Sequence, residues 1–251
     1  MFTDLYSFVP DPWKFYIDEA DLLPIIERLN KHGLSDVLPY KHDIFDCLRL
    51  TDPNDVRAVI IGEPTPQKEL ASGIAYSVPF EYRFTEIYKR IPHPPMQTIV
   101  HSYISSFIDG FDDSTLSDAC KRGILFINYP LTCSSKNKRA HIGYGWDKII
   151  KRLLERLLYR GSPLVLVAWN YEAFKIYSSL VSPWFPDQHG LVYTSPLFKD
   201  IQLIVSGPPH GNIYGDNDEP LYAKYKTIAS RIPFGSSVHS SILKRIVKSA
   251  I

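Results

Sequence analysis

The sequence predicts an α/β fold, a three-layer αβα sandwich around a central four-stranded parallel sheet. Four short apolar runs carry this reading: 56–61 (VRAVII), 124–128 (ILFIN), 163–169 (PLVLVAW) and 202–206 (QLIVS). Each is rich in β-branched or aromatic residues and bounded by Gly, Pro or polar residues. Near-continuous apolar strands are what a parallel sheet requires, because helices cover both of its faces. Helical patterns lie between the runs, so strands and helices alternate. A length of 251 residues suits one such domain, 1–251, with 1–45 as an N-terminal extension and helix and 236–251 as a basic C-terminal tail.

Taken in order, residues 1–17 are rich in aromatics and proline (Tyr6, Pro10, Pro12, Trp13, Tyr16) and are expected as irregular chain on the domain surface. Residues 19–31 read as a helix with Leu22, Leu23, Ile25, Ile26 and Leu29 on one side. A helix is expected at 95–108. The clearest one covers 146–158, where Ile149, Ile150, Leu153, Leu154, Leu157 and Leu158 repeat at helical spacing. Its Lys/Arg face is expected to be a solvated surface. Residues 178–200, with Pro183, Trp184 and Pro186, read as an insertion, and 217–229 as a further helix.

Composition narrows the function. A hydrophobic fraction of 45% and a charged fraction of 22% exclude a disordered chain, a coiled coil and a collagen-like repeat. Lys plus Arg number 28 against 27 Asp plus Glu, so bulk charge gives no sign of a protein that coats nucleic acid; a local basic groove stays open. Cys47, Cys120 and Cys133 are too widely spaced for a disulfide framework, a zinc site or an iron–sulfur cluster. The histidines do not cluster with other ligand types, so no metal or organic cofactor is expected. No apolar run reaches membrane-spanning length. The start Met-Phe-Thr-Asp-Leu-Tyr lacks signal-peptide character, and the expected location is the nucleus or cytoplasm, of a host cell if the protein is viral.

Ligands of open α/β sheets bind at the carboxyl ends of the strands. Those ends carry Gly62-Glu63-Pro64-Thr65-Pro66-Gln67 with Gly73-Ile74-Ala75-Tyr76-Ser77-Val78 after the first, and Asn128-Tyr129-Pro130-Leu131-Thr132 with His141 and Gly145-Trp146 after the second. Trp169-Asn170 follows the third, and Gly207-Pro208-Pro209-His210-Gly211-Asn212 the fourth. Taken in this order, over roughly residues 50 to 230, they resemble the uracil-DNA glycosylase family. That family has G-Q-D-P-Y-H, then G-L-x-F-S-V, P-P-S-L, L-L-L-N-x-x-L-T, S-H-x-x-x-G-W, L-L-W-G and H-P-S-P-L-S. The central block, Asn128 with Leu131-Thr132 followed by His141 and Gly145-Trp146, is the most specific signal. The runs around Asn128 and His141 look most like the poxvirus branch.

The resemblance implies a uracil flipped from the DNA into a pocket, read by Asn128 and stacked on Tyr76. It also implies losses. Pro64 stands where the family has its water-positioning Asp, Pro66 where a Tyr excludes thymine's methyl group, and Gln67 in place of the His of that motif. Glu63 is the candidate substitute for the Asp; the plainer reading is a solvent-facing turn residue. The last loop has two registers. In one, Gly207 replaces the catalytic His, with Pro208 as first loop Pro. In the other, His210 is that His and Tyr214 takes the wedge position. DNA-contact candidates are Pro94, Pro95, Lys136, Lys138, Arg139, Pro208 and Tyr214. The expected function is a uracil-DNA-glycosylase-family protein of DNA repair or replication, its chemistry weakened or lost, binding DNA or a partner in the manner of a processivity factor. The alternative is an active uracil-DNA glycosylase with a rearranged site. Residues 1–17 and Trp184 are the candidates for an exposed partner-binding patch.

Overall fold

The computed structural model describes residues 2–33, 36–77, 100, 116–181, 183–186, 192–207 and 220–229. The expected helix at 95–108, apart from Val100, and the tail at 236–251 lie outside these residues, as do Pro94, Pro95, Pro208, His210 and Tyr214.

The central sheet is built from β2 (Ala58–Gly62), β3 (Ile124–Asn128), β5 (Leu164–Ala168) and β8 (Phe198–Val205). These pair in parallel in the order β3-β2-β5-β8. They are the four strands expected from the apolar runs. The sheet is nevertheless larger than expected. β7 (Val192–Ser195) and β6 (Phe185–Pro186) extend it antiparallel beyond β8, giving six strands in the order β3-β2-β5-β8-β7-β6. This extension occupies the region read as an insertion. β7 alternates in burial and the edge strand β6 is exposed, so neither runs apolar throughout and both escape a search for apolar runs. A separate ribbon pairs β1 (Val37–Leu38) with β4 (Cys133–Ser134).

Strand periodicity sorts the core onto two faces. Val59, Ile61, Leu125, Ile127, Leu166 and Leu203 face α1 (Glu19–His32), α4 (Trp146–Tyr159), α5 (Tyr171–Leu180) and α6 (Pro220–Ala229). Ala58, Ile60, Phe126, Val165 and Val167 face Tyr76, Val100 and α3 (Ser117–Lys121). Both faces are covered, so all five residues of β2, β3 and β5 are buried. The heptad-like stripe on α4 is buried from Trp146 to Leu158, at roughly 1.5–3 kcal/mol per large apolar side chain.

Two expectations change. Residues of the N-terminal segment are core, not surface: Phe2, Leu5, Val9, Trp13 and Ile17 are buried in the cluster beneath α1 and α4. The Trp13 indole donates to the Thr51 carbonyl at 2.8 Å. A short turn-rich segment can present an apolar face to a groove without any helical or strand periodicity to announce it. Among the described residues of this segment, Phe15 alone of the large apolar ones is well exposed, under the Arg156 guanidinium at 4.9 Å. Trp184 is half-buried against the same core. The basic face of α4 is also occupied: Lys148 pairs with Asp21 at 2.7 Å, Arg156 with Asp18 at 3.4 Å, and Arg152 with both carboxylates. These pairs clamp α4 to α1.

Candidate functional site

The parallel pairing of β2 and β3 sets Gly62 beside Asn128 at the carboxyl edge of the sheet. There the Tyr129 amide donates to the Gly62 carbonyl at 2.9 Å. A cleft opens over this edge. It is lined by Asn128, Tyr76, Glu63, Pro64, Ser77 and Ile74, among others, and holds about 280 Å³ including its mouth.

Asn128 is the last residue of β3 and is 5% exposed. Its Oδ1 is buried and accepts no hydrogen bond among the described residues. Buried amide oxygens are normally satisfied, and leaving one unmet costs about 1–3 kcal/mol. Here the unmet acceptor belongs to a cleft-lining residue, where a bound molecule can supply the missing donor.

Tyr76 holds φ +62°, the left-handed region that a non-glycine residue seldom enters. The turn sends its ring back against Trp169, edge to face with centroids 5.5 Å apart. Close approach to the strand is possible only because residue 62 is glycine. Burial first, and then the charge of Glu63, pushes the Tyr76 phenol well above the ordinary range, while a hydrogen bond with Asn170 opposes them. The ring therefore stays neutral and acts as an apolar and hydrogen-bonding wall.

Asn170 is a residue whose role was not read from the sequence. It caps α5, accepting from the Ala173 amide at 2.8 Å, and its Nδ2 donates to the Ile61 carbonyl at 2.9 Å. It thus ties together the ends of β2 and β5. An Asn immediately after a strand and before a helical turn is a capping signal; its bond to Ile61 is tertiary.

The turn after β2 answers the question posed by Pro64. Pro64 is buried and lines the cleft, where it offers neither carboxylate nor hydrogen-bond donor. Pro66 is not among the lining residues, and Gln67 is exposed. Glu63, read from the sequence as a substitute for the Asp or a solvent-facing turn residue, is partly exposed. It lines the cleft, and its carboxylate is paired with Lys138. The turn is held from the other side by the Cys133 thiol, which donates to the Thr65 carbonyl at 3.3 Å. Burial, with a smaller contribution from Asp36, pushes that thiol up to about 12.

The rest of the central block is architecture. The Trp146 indole donates to Thr132 Oγ1 at 2.8 Å, and His141 Nδ1 lies 2.9 Å from the same oxygen. All three residues are buried. They lock the loop between Asn128 and α4. Arg139 pairs with Glu172 at 2.6 Å, and Lys136 is exposed. Gly207 is buried just past β8. No group of three metal-ligating side chains occurs among the described residues.

The chain is 28% identical over 200 residues to a uracil-DNA glycosylase of Psittacid herpesvirus 1, covering 75% of this chain and 51% of the relative. It is 29% identical over 157 residues to that of Bovine herpesvirus 1.1, covering 61% and 72%. The crystal structure of mimivirus uracil-DNA glycosylase superposes with a TM-score of 0.60 at 17% identity, over 97% of this chain and 88% of that one. The chain is similar to uracil-DNA glycosylases in sequence and shares their fold. No family model matches it. It spans about half the length of the parrot herpesvirus glycosylase. The structural likeness is one of fold, α/β with a mostly parallel central sheet.

Proposed function

We propose that this protein recognises uracil in DNA, in repair or replication, with its glycosidic chemistry weakened or lost. The observation that carries the reading is the unmet Oδ1 of Asn128 in a cleft that Tyr76 also walls. The imide edge of uracil presents an N–H between two carbonyls. One amide side chain complements it, with Oδ1 accepting from N–H and Nδ2 donating to a carbonyl. A base stacked on Tyr76 would have to leave the DNA stack to reach this edge.

Hydrolysis breaks the bond between sugar C1′ and base N1. The electron pair leaves with uracil, and water oxygen bonds to C1′. Catalysis needs a group that orients the water and donors for the leaving anion. Pro64 supplies neither. A positioned acid–base group is commonly worth about 10²–10⁴ in rate and an oxyanion donor about 10²–10³. In the register with Gly207 at the His position both are missing.

A second reading is an active glycosylase with a rearranged site. It is favoured by one observation, Glu63 among the residues that line the same cleft, and would use His210 as the anion donor. Release of uracil from a single-stranded uracil-containing oligonucleotide, compared with Glu63→Gln and His210→Ala, separates the readings. Loss of fast release in both variants supports the second; slow or undetectable release in the wild type supports the first. A protein partner in replication is a further role that family resemblance suggests. Lys136, Lys138 and Arg139 remain the candidate phosphate contacts. Affinity for DNA through them should fall with added salt.

A further inference from the structure

We infer that Lys138 and Glu63 form a latch opened by DNA: a backbone phosphate that takes the Lys138 ammonium releases the Glu63 carboxylate into the cleft. The inference rests on the reading of the cleft as a site for a base of DNA.

The two groups come from different loops. Glu63 follows β2 and lines the cleft; Lys138 lies in the loop after β4. Their pair therefore bridges the cleft wall to a separate loop. The partners are not equally placed. The Lys138 side chain is 47% exposed and Glu63 26%. The neighbouring pair repeats the arrangement, with Arg139 57% exposed and Glu172 13%. In both, the cation is outside and the carboxylate inside. An approaching polyanion meets Lys138 and Arg139 first.

Energetics allow the exchange. A solvent-accessible ion pair is worth little, because water and salt screen it. A phosphate gives the ammonium an equivalent charge-assisted partner and releases counterions besides. Glu63 is left without its cation beside Tyr76 and Asn128. Its field already reaches this wall, as its contribution to the raised Tyr76 phenol shows. Before DNA arrives the carboxylate is neutralised by its partner; afterwards it is a free acceptor in the cleft.

The test is a double-mutant cycle read by fluorescence anisotropy on a labelled single-stranded oligonucleotide containing thymine but no uracil. Binding in this assay does not depend on uracil recognition or release. Glu63→Gln frees Lys138 in advance and should tighten binding about two- to fivefold, the range of an exposed ion pair. Lys138→Met should weaken binding and lower the slope of log affinity against log salt by about 0.7, one single-strand phosphate contact. Glu63→Gln added to Lys138→Met should change nothing further. Unchanged or weaker binding by Glu63→Gln overturns the latch. So does equal tightening with and without Lys138, which would mark mere removal of a negative charge near DNA. No DNA binding by any variant overturns the underlying reading and the latch with it. Melting curves of each variant confirm that the protein is folded.

Discussion

A methyl group placed on Gly62 would stand 2.9 Å from Cε2 of the Tyr76 ring and 2.7 Å from the Ala75 Cβ. The last residue of β2 is therefore glycine so that the cleft's aromatic wall can lie against the strand. Gly62→Ala must push back the ring, the Ala75 backbone or both. Overpacking of this kind costs about 1–3 kcal/mol. Thermal melting should show a drop of several degrees. On the proposed reading, in which a flipped base stacks on this ring, the same variant should lose affinity for uracil-containing DNA more than for DNA of ordinary bases.

Thr132 should matter for stability, not recognition. Its hydroxyl accepts from the buried Trp146 indole and lies in hydrogen-bond contact with His141. Thr132→Val keeps the shape and strands the indole N–H. The expected cost is about 1–3 kcal/mol. Thr132→Ser keeps the oxygen and should recover most of it. Chemical denaturation of the three proteins tests this; equal stability of Thr132→Val and wild type would refute it.

Asn170→Ala removes a helix cap worth about 0.5–2 kcal/mol and also the tie to Ile61. Unlike an ordinary cap it should disturb the cleft, since its bond to the Ile61 carbonyl holds the end of β2 against which the Tyr76 ring packs. The measurable signature is a change in near-ultraviolet circular dichroism from the packed Tyr76 and Trp169 rings. A stability loss with an unaltered aromatic spectrum would limit Asn170 to capping.

Much of this architecture was legible in the sequence, and the exceptions have physical reasons. β3 has the expected bounds because all five of its residues are apolar or strand-ending. α4 was clear from its repeating stripe. By contrast α5 (Tyr171–Leu180) was not foreseen, since Tyr and Ser blur its periodicity and the decisive signal is one capping Asn. The pairing of Gly62 with Asn128 was implied by two parallel strands, but the place of Glu63 in the cleft wall was not. Adjacent residues of a turn can point either way, and here the Lys138 pair and the Cys133–Thr65 contact bear on it. The N-terminal segment misled for a similar reason: its buried side chains follow the shape of a groove, not a period.

The cysteines supply a pH signature. Cys47, Cys120 and Cys133 are all buried and free. Burial is the main cause in each; it pushes Cys120 and Cys133 up to about 12, and Cys47 higher still. An unfolded thiol ionises near 9, so the folded state holds these protons more tightly. The resulting stability is present below about pH 9 and is lost as pH rises from there towards about 12. At pH 8, about where an unperturbed thiol begins to ionise, iodoacetamide should label the folded protein very slowly and the unfolded one fast. Rapid labelling of the native chain would contradict this packing.

The most direct test of the central claim is the single-turnover rate of uracil release from a single-stranded oligonucleotide, run beside the Bovine herpesvirus 1.1 glycosylase and Asn128→Ala. The account predicts a rate at least about 10² below the relative, from loss of a positioned group at Pro64, with any residual release abolished by Asn128→Ala. A rate within tenfold of the relative, or release that Asn128→Ala leaves unchanged, would contradict it.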